Sequence, residues 1–137
     1  MNIPITLAPG ARMPTYATEE AAGMDLHALK FSLIQAHCWT LIDTGVSIAL
    51  PAGYEAQIRP RSGMAARDGI TVLNAPGTID SDYRGEIKVC LINHSPNSFP
   101  IRAGDRIAQL VIAPVARVTF EQVDSLDETE RGAGGFG

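Results

Sequence analysis

The sequence predicts an all-β domain, an antiparallel barrel or sandwich, with one short helix and a mobile C-terminal arm. Three observations lead there. Short apolar runs rich in Val, Ile and Leu recur along the chain, separated by Gly- and Pro-containing turns, as in sheets built of many brief strands. Only Ser62 to Arg67 suits a helix, and it is too short for more than a turn or two. Asp124 to Gly137 lacks apolar periodicity and reads as the arm.

The elements follow in order. Ile3 to Leu7 opens the chain as a strand. Thr40 to Ile42 and Val46 to Leu50 are two more, split by Asp43-Thr44-Gly45. Pro51-Ala52-Gly53 turns the chain into an extended run from Tyr54 to Arg59. In the helix, Ser62 is placed to cap the first turn and Gly69 to end the last. Ile70 to Leu73 is β-rich. Glu86 to Ile92 alternates, with Ile87, Val89 and Leu91 on one face and Lys88, Cys90 and Ile92 on the other. Asn93 to Asn97 is a loop and Ser98 to Arg102 a short strand. Ala103-Gly104 then turns into Arg106 to Ile112, and Val115 to Val123 closes the ordered body.

A length of 137 residues points to one domain, expected over 1–123, with the arm over 124–137. Such a chain can bury a core but has little room for an enclosed pocket as well, which hints at a ligand site between subunits. A formal charge of −4 argues against a nucleic-acid-binding face. No run is long enough to span a bilayer, and no basic region followed by an apolar stretch marks a signal peptide. The protein is therefore expected in the cytoplasm. Cys38 and Cys90 show no metal-ligand spacing and are expected as buried thiols. The histidines show no ligand spacing and are treated as incidental.

Chemistry concentrates in a few segments. The densest runs from Asn74 to Glu86, where an amide, glycines, carboxylates and a tyrosine lie between apolar runs. In an extended conformation Asp80 and Asp82 point to the same side, with Ser81 and Tyr83 opposite. Such carboxylates suit a metal or a base toward water, or simply an acidic surface turn. Arg59-Pro60-Arg61-Ser62-Gly63 sets arginines and a hydroxyl at a helix start, a combination suited to an anion or to ordinary capping. Gln109 shares a face with Ile107 and Val111, so its amide needs a backbone or ligand partner. Asp25, within Ala22-Gly23-Met24-Asp25-Leu26, reads alone as structural. Arg131 to Gly137 contains a GxGxxG pattern without the strand and helix of a dinucleotide site. It reads as a frayed tail or as a lid, with glycine N–H groups and Arg131 for phosphate and Phe136 for a base.

Together these segments resemble the ordered motifs of the trimeric dUTPases. They are Ala22-Gly23-Met24-Asp25-Leu26, Pro60-Arg61-Ser62-Gly63, Gly77-Thr78-Ile79-Asp80-Ser81-Asp82-Tyr83-Arg84-Gly85-Glu86, Gly104-Asp105-Arg106-Ile107-Ala108-Gln109-Leu110 and Arg131-Gly132-Ala133-Gly134-Gly135-Phe136-Gly137. The match spans nearly the whole chain in the right order. It implies a jelly-roll-like subunit in a homotrimer whose sites are each shared by three chains. One chain would give the second and fourth motifs, another the third, and the last its arm. It also implies hydrolysis of dUTP to dUMP and pyrophosphate with Mg²⁺, limiting uracil in DNA and supplying dUMP for dTTP synthesis.

The resemblance assigns roles residue by residue. Asp80 matches the carboxylate that activates the attacking water, with attack expected at the α-phosphorus. Tyr83 matches the ring under the deoxyribose that excludes a 2′-hydroxyl. Asn74 matches an amide that holds a water or the base edge, while Gly77, Thr78 and Ile79 read uracil through their backbone. Lys88 falls at a further substrate position. Arg61, Ser62, Gly63 and Gln109 match phosphate contacts, Arg131 the γ-phosphate contact, and Phe136 with Gly137 the cap over the uracil. Mg²⁺ is expected on the triphosphate and water with no direct protein ligand, Asp25 touching only its water shell.

The family's last motif usually continues past Phe-Gly with a Ser or Thr pair. This sequence stops at Gly137: either the chain continues beyond it, which is the expectation, or its lid is weakened. Two other readings compete. A dCTP deaminase, or a combined deaminase–diphosphatase, would place a glutamate in the base pocket, where this chain has Thr78-Ile79-Asp80; Glu86 lies too far along. A non-catalytic nucleotide-sensing module would tolerate loss of Asp80 or the arm, and both are present.

Overall fold

The computed structural model describes residues 1–137. The strands are β1 (Ile5–Leu7), β2 (Thr15–Tyr16), β3 (Met24–His27), β4 (Ser32–Ile34), β5 (Trp39–Ile48), β6 (Tyr54–Arg59), β7 (Ile70–Val72), β8 (Gly77–Ile79), β9 (Ile87–Asn93), β10 (Phe99–Ile101) and β11 (Arg106–Pro114). The one helix is α1 (Ser62–Asp68). One sheet has the order β1-β5-β9-β7 and another β2-β3-β11-β6-β8, with β10 and β4 forming a small pair. Every pairing is antiparallel. The chain is thus all-β and jelly-roll-like, as expected.

Alternation fills the interior. Ile87, Val89 and Leu91 of β9 are each at most 1% exposed, while Lys88 between them faces outward. They join Leu26, Ile42, Ile58, Ile107 and Leu110 in a single apolar cluster, so the two larger sheets share one core. Each fully buried aliphatic side chain contributes about 1.5–3 kcal/mol. Three polar residues are buried with this core, Asp25, Thr44 and Asn93, the last fully buried at the end of β9 rather than in a loop. For Asn93 the partners are all present. Its amide donates to Ile34 O at 3.1 Å and Asn97 O at 2.8 Å, and its oxygen accepts from Ser95 N at 2.9 Å.

Several expectations are corrected. Asp43-Thr44-Gly45 does not split two strands; β5 runs through it and bulges opposite Ile87 and Lys88. Gly45 takes φ 70° there, and a Cβ on it would stand 2.8 Å from the Ala11 Cβ. The freed Thr44 and Gly45 N–H groups donate to Glu86 Oε1 at 3.1 and 2.8 Å, so a side chain replaces the lost ladder bonds. Arg61, not Ser62, holds the N-cap of α1, in extended conformation and without a side-chain cap bond. Gly69 does end the helix, at φ 67°.

Val115 to Val123 carries no strand. Val115 N still donates to Gly53 O at 2.8 Å, after which the chain runs exposed, with Phe120 97% accessible. Cys38 is exposed and Cys90 half-buried, against the expected buried pair. Asp80 to Tyr83 is a turn, closed by Tyr83 N donating to Asp80 O at 3.2 Å, so the extended alternation of these side chains does not hold.

Candidate active site

β8 pairs with β6 at the edge of the five-stranded sheet, with Gly77 opposite Ile58 and Ile79 opposite Ala56. β9 belongs to the other sheet. The two strands part at the 80–86 loop, and a cavity of about 260 Å³ lies between them. Asn74, Gly77, Thr78, Ile79, Asp80, Tyr83 and Lys88 all line it, together with Ile58, Glu86, Ile87 and Cys90. Gly77 packs closely here: a Cβ would stand 3.2 Å from the Ile58 Cβ and 3.4 Å from the Asn74 amide nitrogen, so these neighbours would have to shift by a few tenths of an ångström.

The loop over this cavity is cross-braced. The Tyr83 hydroxyl donates to Glu86 O at 3.0 Å, and Arg84 Nη1 donates to Ser81 O at 2.7 Å and Tyr83 O at 2.9 Å. Asp80 is exposed on the cavity wall rather than buried in the subunit. It also lines a second recess, of about 710 Å³, with Ser81, Asp82, Glu55 and Arg117. Asp80 and Tyr83 therefore face one cavity, which an extended strand would have forbidden.

Lys88 stands at the rim with its ammonium 2.9 Å from Asp43 Oδ1 and 3.9 Å from Glu86 Oε2. Lys30 takes the other Asp43 oxygen at 2.6 Å. Hydrogen bonds from Lys30 and then Lys88 hold the Asp43 carboxyl below its ordinary value, and the Asp43 bond raises that of Lys88.

A separate constellation surrounds Asp25 on β3, which is 8% exposed. Its oxygens lie 3.5 Å from Arg61 Nε and 3.4 Å from Arg106 Nη1. At 3.5 Å the Arg61 contact is an ion pair without hydrogen-bond geometry, and its buried Nε–H finds no acceptor. His27, opposite Arg106 across the strand pair, also has a buried Nδ1 without a partner. Burial lowers the His27 pKa first; Arg12, Arg106 and Arg61 act in the same direction and Asp25 opposes them. Ser62 and Gly63 are exposed at the start of α1. Gln109 lines a shallow recess with Gln57, Arg59, Pro60, Ala75 and Pro76. Beside it, Gly23 packs closely against Gln109, whose Cβ a side chain at residue 23 would meet at 3.2 Å.

The arm stands apart. Arg131 Nε donates to Gly134 O at 2.9 Å within its own segment, and Phe136 and Gly137 are exposed. One chain thus gathers the third-motif residues and Lys88 in one cavity, but leaves Arg61, Ser62, Gly63 and Gln109 outside its lining, and Arg131, Phe136 and Gly137 in the arm. Arg106, Glu86 and Asp43 belong to these constellations and were not singled out from sequence. For Asp43 the available signal was its charge opposite Lys88 on the neighbouring strand, legible only once the β5 register was fixed.

A family model described as dUTPase matches residues 10–137. The chain is 51% identical to the deoxyuridine 5′-triphosphate nucleotidohydrolase of Maricaulis maris, over 99% of this chain and 95% of that protein. It is 58% identical to the protein of the same name from Nautilia profundicola, over 93% of this chain and 89% of that one. Among solved structures, a dUTPase mutant of Staphylococcus bacteriophage 80α with dUpNHpp superposes with a TM-score of 0.91 at 25% identity, over 98% of this chain and 96% of that chain. The fold also matches a mutant dUTPase of phage phi11 of S. aureus, described as revealing coordination of a structural Mg(II) ion, with a TM-score of 0.86 at 22% identity, over 93% of this chain and 100% of that one.

Proposed function

The chain belongs to the dUTPase family, and on that premise we propose that it is a dUTP diphosphatase, hydrolysing dUTP to dUMP and pyrophosphate at sites shared within a homotrimer. One observation carries this reading: the 260 Å³ cavity gathers Asn74, Gly77 to Asp80, Tyr83 and Lys88 around a space open on one side. Uracil enters between β8 and β9, where the Gly77–Ile79 backbone and the Asn74 amide meet its edge. Tyr83 packs under the deoxyribose and leaves no space for a 2′-hydroxyl. The α-phosphate emerges at Asp80.

Asp80 orients a water for in-line attack on the α-phosphorus and accepts its proton as the bond to phosphorus forms and pyrophosphate departs. The exposed position of its carboxylate supports that role, since a base must reach solvent and ligand together. Arg61, Ser62, Gly63 and Gln109 hold the phosphates from a second chain. That separation agrees with their lying outside the cavity of their own chain. Arg131, Phe136 and Gly137 close over the ligand from a third. Exposed apolar side chains, Trp39, Leu41 and Leu73 among them, support burial against further copies. In functional terms, residues 1–123 form the scaffold and 124–137 the lid.

Mg²⁺ fits this donor set as a hydrated ion. No three His, Cys, Asp or Glu side chains gather as a cage, while Asp25 offers one carboxylate beside the phosphate-facing Arg61. Bound to the triphosphate, the ion would neutralise charge developing on the leaving pyrophosphate. In the cytoplasm such an enzyme limits uracil in DNA and supplies dUMP for dTTP synthesis. No helix is long and apolar enough to cross a membrane. Pyrophosphate release measured across dUTP, dTTP, UTP and dCTP tests the reading. It requires turnover of dUTP alone, and ammonia release from dCTP would overturn it in favour of a deaminase.

A further inference from the structure

Tyr83 is 46% exposed, so packing alone does not fix its ring. Two neighbours do. The first is Glu86, whose carbonyl accepts the Tyr83 hydroxyl at 3.0 Å and whose carboxylate is itself fastened to Thr44 and Gly45 N–H in the β5 bulge. The ring is thereby tied to the end of its own loop, which Glu86 in turn fastens to the β5 bulge. The second is Gly85, over which the ring folds back. A Cβ at this position would stand 2.6 Å from Tyr83 Cζ and 3.0 Å from Cε2. Those separations are far inside van der Waals contact, so the ring and a side chain at residue 85 cannot share the space. Gly85 is not in the left-handed region, so its backbone would accept alanine. The position requires glycine because of the ring, not because of the chain's turn.

We propose that Gly85 is a positioning residue for sugar selection: its missing side chain sets where the Tyr83 ring lies, and so sets the clearance that admits deoxyribose and rejects ribose. This rests on the reading that Tyr83 packs under the sugar of a bound nucleotide. Displacing the ring by about the width of a methyl group opens the space a 2′-hydroxyl needs. Discrimination of that kind turns on single-group fit, for which one methylene is typically worth about tenfold to two-hundredfold.

The test is kcat/KM for dUTP and for UTP in the parent, Gly85→Ala, Tyr83→Ala and the double variant, with melting temperatures for each. Gly85→Ala is expected to lower the dUTP:UTP ratio at least tenfold. The double variant, which has no ring to displace, is expected to match Tyr83→Ala within about twofold, because the effects pass through one side chain. A Gly85→Ala protein with the parent's ratio would overturn the proposal, as would a double variant whose losses simply add. Should Gly85→Ala fail to fold, the double variant decides: the proposal requires it to fold as well as Tyr83→Ala does. If Tyr83→Ala itself keeps the parent's ratio, the assignment of Tyr83 to the sugar fails and the role of Gly85 fails with it. A parent that turns over neither nucleotide would instead overturn the enzymatic reading.

Discussion

Asp25 Oδ1 lies 3.5 Å from Arg61 Nε, linking β3 to the N-cap of α1. The Arg61 Nε–H is buried and finds no acceptor, so the ion pair holds only the inner edge of the guanidinium. On the proposed reading, the exposed remainder of the guanidinium meets a phosphate while its carboxylate partner stays 8% exposed behind it. Asp25→Asn should keep the shape and remove the charge. The expected result is a rise in KM for dUTP of roughly tenfold, in line with about 1.4 kcal/mol for a lost charge-assisted contact. An unchanged KM would show that Arg61 needs no such partner.

The arm gives a prediction about sharing. Phe136→Ala should lower kcat/KM through lost stacking worth about 1–3 kcal/mol. Asp80→Asn chains and Phe136→Ala chains, refolded together, should form mixed trimers in which some sites hold both intact residues. Activity above the mean of the two separate variants is expected. A mixture that only averages them would place the arm over its own chain's cavity.

The Asp43 ion pairs predict a pH dependence with a definite sign. Lys30 and Lys88 hold the Asp43 carboxyl below its ordinary value of 3.8 in the folded chain. The unfolded chain therefore takes up that proton first as pH falls. The stabilisation is present above about pH 3.8 and is lost as pH drops through the lower folded value. Melting curves of Asp43→Asn and the parent should differ by a constant amount near neutrality and converge in strong acid. Divergence growing toward acid would contradict the pairing.

His27 acts at milder pH. With its pKa lowered by burial and by Arg12, Arg106 and Arg61, against Asp25, the folded chain resists protonating it. Stability should fall as pH drops below the ordinary histidine value of 6.5, and His27→Gln should flatten that limb. Equal slopes in the two proteins would remove His27 from the account of acid stability.

How much of this was legible beforehand depended on the length of each signal. β6, β9 and β11 carry enough alternating residues to be read from sequence, and Gly69 marks its helix end by chemistry alone. β3 and β8 do not: Met24–His27 is only four residues long and includes two polar ones, and Gly77–Ile79 begins with glycine, so each reads as a turn until its partner strand supplies the ladder. The β5 bulge was missed because Asp43-Thr44-Gly45 has a turn's composition, and only Glu86, far along the chain, makes it a strand. Val115 to Val123 has strand-like residues but no partner strand within one chain. Motif order put Asn74, Gly77, Thr78, Ile79, Asp80, Tyr83 and Lys88 on the expected list, but not Ile58, Glu86, Ile87 and Cys90, which line the same cavity. What motif order could not give was the turn at Asp80 to Tyr83 that brings carboxylate and ring to one wall.

The most direct measurement is pyrophosphate release from dUTP by Asp80→Asn beside the parent, with dUTP binding followed in parallel. If Asp80 is the base, turnover falls by about 10²–10⁴-fold while binding stays within a few-fold. Equal turnover in the two proteins would contradict a catalytic role for Asp80.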